Sequence, residues 1–311
     1  MIDLQNKTVM VTGANSMIGR RVIESLETRN AVIYPIYHDD CDLTNIRDIN
    51  FMFGVYLPDY VIHCATYSGN IDFNLKYPAD VFYETSLMAL NVLNACQRYD
   101  VIKVLSVLSS CAYPNFENGV IEEGKLWDGP CNFSINCHGY AKRNLDAYST
   151  MLNRQYGLKA ATVVLTNCYG EYDSYDVNKT KVVGGLINKF YKAKKENLPE
   201  VECWGTGKPL RELMYCGDAG ECIVQSLQKY EDYTKPLNIG SQQEISIFDL
   251  VFLIKDIIGY KGNIKWLTEK PDGQMRKLLD STTMQSLLKV EITPLREGIR
   301  KTIEWYEEHC G

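Results

Sequence analysis

Three features of this 311-residue chain predict an α/β fold, a doubly wound parallel sheet of the Rossmann type. Short β-branched apolar runs alternate with longer helix-periodic segments up to about residue 167. The runs are short and rich in apolar residues, as expected of strands in a parallel sheet covered on both faces. A glycine turn joins the first run to the first helix. The later residues read as a smaller α/β substrate-binding part. The expected division is 1–167, with about 207–240, for the dinucleotide-binding domain, and 168–206 with 241–311 for the substrate part.

The elements follow in order. TVMVT (8–12) reads as a strand and MIGRRVIESLETR as a helix. AVIYPIY (31–37) is a strand, NIRDINFMFGVY a helix whose cap is Thr44 or Asn45, and YVIHCA (60–65) a strand. A long helix covers 79–99, and KVLSVLSS (103–110) is the next strand. GYAKRNLDAYSTMLNRQY belongs to a second long helix, followed by the strand ATVVLTN (161–167). After that YGEYDSYDVNK, CWGTGKPLRE and EKPDGQMRK read as loops that close over the carboxyl edge of the sheet, where ligands bind in such folds.

Composition narrows the function. Hydrophobic residues make up 45%, charged residues 23%, and the net charge is -6, so a nucleic-acid partner is not expected. The opening MIDLQNKTVMVTG lacks the pattern of a signal peptide. The greasiest late stretch, IFDLVFLIKDIIG, is broken by Asp249 and Lys255, so no membrane span is expected. Eleven cysteines without a C-x-x-C pair fit reduced thiols in the cytoplasm, and four histidines without ligand spacing give no metal site.

In VTGANSMIGRR, Gly13 and Gly19 bracket a turn that opens a helix, an arrangement that presents backbone N–H groups to a pyrophosphate. Ser16 stands where a middle glycine is usual, which weakens or reshapes that contact; the alternative is an ordinary strand-to-helix turn. Near the end of the second strand, His38 is followed by Asp39 and Asp40, with no Arg. That leaves NADP or NAD as the cofactor, with a lean to NAD. Asp42 is placed either against an adenine or in a helix-cap region.

Several longer motifs are more specific: YPADVFYET (77–85), SSCAYP (109–114), NRQYG (153–157), LTNCYGEYD (165–173), ECWGTGKPLRELMY (202–215) and KPDGQMRKLLD (270–280). With them the chain resembles the extended short-chain dehydrogenase/reductase family and, within it, the GDP-L-fucose synthase branch, which epimerises and reduces GDP-4-keto-6-deoxymannose. The resemblance implies cofactor contacts at Gly13, Asn15, Ser16, Met17, Ile18, Gly19, His38, Asp42, Leu43, Ala65, Thr66, Lys142, Leu165 and Asn167. It implies substrate contacts at Asn167, Lys181, Val182, Trp204, Arg211, Lys270 and Arg276. It implies that Ser109 and a Tyr–Lys pair polarise the C4 keto oxygen, and that Cys111 and a His serve as the epimerisation acid/base pair. It also implies a homodimer through the helices at about 80–98 and 138–156.

Two catalytic positions depart from the pattern. In NCHGYAKRN (136–144), His138 stands where the resemblance places the Tyr, four residues before Lys142 and on the same helix face. Lys181 stands where it places the epimerase His. An imidazole needs no activation, since its ordinary pKa is about 6.5, but nearby cations depress it, leaving a neutral N–H donor. Tyr140 points to the opposite face. Three readings stay open: a GDP-linked 4-keto-6-deoxy sugar epimerase/reductase using NAD(P)H, a redox-neutral epimerase, and an inactive binding or regulatory subunit. Cys111 and Lys181 each have a plainer alternative, a small buried thiol and a solvated helix-start charge.

Overall fold

A computed structural model describes residues 1–115, 119–176, 180–270, 272 and 274–311. Pro271 and Gly273 of the 270–280 motif, and part of the 171–179 loop, lie outside the described residues.

Six parallel strands form the central sheet, in the spatial order Leu237–Ile239, Lys159–Leu165, Lys103–Ser109, Tyr60–His63, Thr8–Thr12, Val32–Ile36. From Thr8–Thr12 the chain first adds a strand on one side, then crosses to Tyr60–His63 on the other. That reversal opens a crevice at the carboxyl edge, and Gly13, Ala65, Cys111 and Asn167 all lie just beyond strand ends there. The two innermost strands, Tyr60–His63 and Lys103–Ser109, are buried almost throughout, as a sheet covered on both faces requires.

Helices cover both faces. Met17–Glu27 packs against Cys216–Lys229, and the 21-residue helices Pro78–Arg98 and Asn136–Tyr156 pack against each other. Asn136–Tyr156 starts earlier than its sequence pattern suggests. Its N-cap, Ile135, makes no capping hydrogen bond, so no cap residue marks the start. It ends at Gly157 in the left-handed conformation (φ 72°).

The later residues hold more strand than their loop-like composition suggests. Leu210–Tyr215 pairs with Asn167–Tyr169 and Glu244–Ser246 in a three-stranded sheet. Glu200–Trp204 pairs with Asn263–Leu267, and Leu278–Leu279 with Val120–Ile121. Segment 207–240 is therefore divided. Its helix and last strand join the central sheet's layers, while Leu210–Tyr215 belongs to the small sheet. Among the described residues, no helix is long and apolar enough to cross a membrane.

Candidate active site

The glycine turn is set by packing. Gly13 has φ +68°, and a Cβ on it would lie 2.7 Å from the Ala65 nitrogen. A Cβ on Gly19 would lie 2.2 Å from the Gly13 oxygen. Both glycines therefore let backbone approach backbone closely. Ser16 needs no such freedom, because its φ of -71° is open to any residue. Its Oγ accepts the Gly19 N–H at 3.0 Å and caps the helix Met17–Glu27. The serine thus replaces a glycine while completing the helix start, whose positive end lies at Met17 and Ile18. Arg20 folds back on Asn15, its guanidinium donating to the Asn15 carbonyl and side-chain oxygens at 3.3 Å each.

Other expected cofactor positions line the same edge. Asp42 accepts from the Thr44 N–H (2.9 Å) and hydroxyl (2.7 Å), bonds that hold its carboxyl below the usual range, just ahead of the helix capped by Asn45. His38 and Thr66 are exposed, Leu43, Ala65 and Leu165 buried, and Asn167 donates to the Glu212 carbonyl at 3.4 Å.

Ser109 ends a central strand, and its Oγ accepts the Cys111 N–H at 3.3 Å, starting a short turn that presents Cys111 at the crevice. The helix Asn136–Tyr156 brings His138 and Lys142 to this place, both buried. Lys142 donates to the Val107 carbonyl at 2.9 Å, and burial pushes its pKa down to about 8. His138 Nδ1 is buried without a hydrogen-bond partner among the described residues. Burial first, then the ammonium groups of Lys142, Lys181 and Lys277, push its imidazole down to about 3. The cations act in the direction the sequence suggests, but the largest cause is desolvation, which spacing along a helix does not reveal.

Lys181 is exposed at the N-cap of the helix Val182–Lys195 and acts on both Cys111 and His138 through its charge. Val182 beside it is also exposed. Trp204 is largely exposed, with Lys189 and Lys270 over its ring at 5.9 and 5.5 Å. Arg211 donates to the Leu210 carbonyl at 2.7 Å. Arg276 holds Glu244 with a two-pronged pair at 2.7 and 2.9 Å, so its charge is already matched.

The adjacent Lys277 escapes the sequence reading. It is buried, and its Nζ lies 3.6 Å from the Cys111 sulfur. Burial pushes the Cys111 thiol up, but Lys277, Ser109 and Lys181 together outweigh it, so the pKa falls below the ordinary thiol value. Its place next to Arg276 in the 270–280 motif was the one available signal. His63 is a second buried group that the sequence reading passes over. It hydrogen-bonds Thr12 across the sheet at 2.7 Å and is pushed down to about 3 by burial and by Lys142.

Comparison with known proteins gives a consistent picture. The family model for the NAD dependent epimerase/dehydratase family matches residues 9–240. A GDP-L-fucose synthase from Dictyostelium discoideum is 33% identical over 305 residues, covering 96% of this chain and 95% of the relative. A GDP-L-fucose synthetase from Naegleria fowleri, solved bound to NADP, superposes with a TM-score of 0.89 at 28% identity, over 98% of this chain and 95% of that one. A GDP-6-OMe-4-keto-L-xylo-heptose reductase from C. jejuni gives a TM-score of 0.90 at 26% identity, over 97% and 98%. The lean to NAD drawn from the missing Arg near His38 gains no support, because the Naegleria relative is bound to NADP.

Proposed function

Because the chain belongs to the NAD dependent epimerase/dehydratase family, we propose that it is a GDP-linked 4-keto-6-deoxy sugar epimerase/reductase that uses NADP(H). One observation carries the reading: Ser109, Cys111, His138 and Lys142 meet at the carboxyl edge of the sheet, beside a glycine turn too tight for side chains. That turn fits a dinucleotide, with Gly13, Ser16, Met17, Ile18 and Gly19 at its pyrophosphate and Lys142 toward the nicotinamide end. NADPH, when bound, supplies reducing equivalents to the sugar.

The chain's own residues divide the remaining work. Cys111 as thiolate removes the proton next to the ketone, leaving the electron pair on the keto oxygen as an enolate. Ser109 and the neutral N–H of His138 donate hydrogen bonds to that oxygen. Lys181 supplies the returning proton on the opposite face. Trp204, Arg211 and Lys270 form the nucleotide-diphosphate end, with Asn167 and Val182 lining the sugar side. Arg276 supports this end through Glu244.

A specific observation favours a second reading, the redox-neutral epimerase. His138 stays neutral around pH 7, so it is a poor proton source for the alkoxide formed on reduction, whereas the enolising thiol keeps its activating cation. The exposed apolar residues Phe82, Tyr83 and Leu90 on one long helix, and Met151 and Tyr156 on the other, support a second copy of the chain covering both. Titration with NADPH and NADH, followed by turnover of GDP-4-keto-6-deoxymannose, tests the proposal. Tight binding of NADPH and conversion of the sugar are expected; a protein that binds neither coenzyme nor sugar nucleotide contradicts it.

A further inference from the structure

Lys277 is delivered to the crevice by the C-terminal part of the chain, and its backbone is clamped on both sides. Before it, Arg276 is locked by Glu244 at 2.7 and 2.9 Å. After it, Leu278–Leu279 pairs with Val120–Ile121, and the Leu279 N–H donates to Glu212 at 3.1 Å. Cys111 is fixed just as firmly from the central sheet, by the Ser109 cap at 3.3 Å. The two segments therefore meet at a set distance, with the ammonium 3.6 Å from the sulfur and the lysine buried.

We infer that Lys277 is the positioning residue of Cys111, holding its sulfur as a thiolate and fixing where it sits. The inference rests on the proposed role of Cys111 as the base. The proton lost from the thiol goes to solvent. Charge decides this over packing, because a buried thiol without a cation would remain protonated and inert. The other groups facing the sulfur are Lys181, Ser109, Cys131 and Cys137, with His138 close enough to feel Lys181 and Lys277. Lys181 is exposed and its field is screened by water, so it does not replace the buried ammonium. Burial pushes the Cys131 and Cys137 thiols up, so at neutral pH they stay protonated.

The test is the pH dependence of Cys111 alkylation by iodoacetamide, read on the Cys111 peptide by mass spectrometry, in wild type, Lys277→Met and Lys277→Arg. No sugar nucleotide is needed, so an inert wild-type enzyme with a reactive Cys111 would sink the proposed function and leave this inference standing. The wild-type midpoint is expected below the ordinary thiol value of about 8.5. Lys277→Met should raise it and slow alkylation at pH 7 by roughly tenfold. Lys277→Arg should restore most of the rate. Identical midpoints in wild type and Lys277→Met would overturn the inference. Should Lys277→Met not fold, Lys277→Gln, which keeps a polar side chain without the charge, decides: a raised midpoint supports the inference, and an unchanged one overturns it.

Discussion

His138 and Lys142 stand four residues apart on one helix and are held differently: the Lys142 ammonium donates to the Val107 carbonyl at 2.9 Å, while the buried Nδ1 of His138 has no partner among the described residues. Burial and three ammonium groups hold the imidazole neutral. A phenol at this position beside Lys142 would give a stronger proton donor. His138→Tyr is predicted to raise the rate of sugar reduction on the order of 10- to 100-fold. Single-turnover loss of nicotinamide absorbance measures it, and an unchanged rate would show that proton delivery does not limit reduction.

The same imidazole ties stability to pH. Its folded pKa of about 3 lies below the unfolded value of 6.5, so between those values the unfolded chain binds the extra proton. Its contribution is present above pH 6.5 and is lost as pH falls toward 3. By pH 5 the loss is about 2 kcal/mol. Urea unfolding at pH 7.5 and 5.0 should show wild type losing about 2 kcal/mol more than His138→Asn. Equal losses in the two proteins would mean the imidazole is not held neutral.

Ser16 stabilises the first helix through its bond to the Gly19 N–H. Ser16→Ala should cost about 1 kcal/mol of folding stability, and Ser16→Gly only a few tenths. Denaturant midpoints of the two variants give the comparison. The reverse order would mean that the serine hydroxyl does not act as a cap.

Gly19 has no room for a side chain, since a Cβ would sit 2.2 Å from the Gly13 oxygen. Gly19→Ala must push the turn open and is predicted to weaken NADPH binding by roughly tenfold or more, a loss of about 1.4 kcal/mol. Fluorescence titration of bound NADPH reads this directly. Unaltered affinity would separate the turn from the coenzyme.

Much of the fold was legible in the sequence because parallel strands buried on both faces are written as short, mainly apolar runs. Thr8–Thr12 matches its predicted span residue for residue. The small strands Glu200–Trp204 and Leu210–Tyr215 were hidden because Gly205, Gly207 and Pro209 between them carry the strongest turn signals of that segment. On the helix Pro78–Arg98 the leucines divide between the two faces: Leu93 is buried and Leu90 exposed, because the helix faces outward over part of its surface. At the site, residues adjacent along the chain were readable as a group. Lys277 was not, because its importance comes from a contact 166 residues away in sequence. Burial was equally invisible, and it shifts the His138 imidazole more than the neighbouring charges do.

In the proposed mechanism, Cys111 labilises the proton next to the ketone of a GDP-linked 4-keto sugar. The most direct measurement is incubation of the protein with NADPH and GDP-4-keto-6-deoxymannose in heavy water, following nicotinamide absorbance and the mass of the sugar nucleotide. Deuterium uptake into the sugar, abolished in Cys111→Ser, is expected. Loss of absorbance alongside it would identify the epimerase/reductase, and its absence the redox-neutral epimerase. A sugar nucleotide recovered without deuterium, reduced or not, would rule out Cys111 as the base.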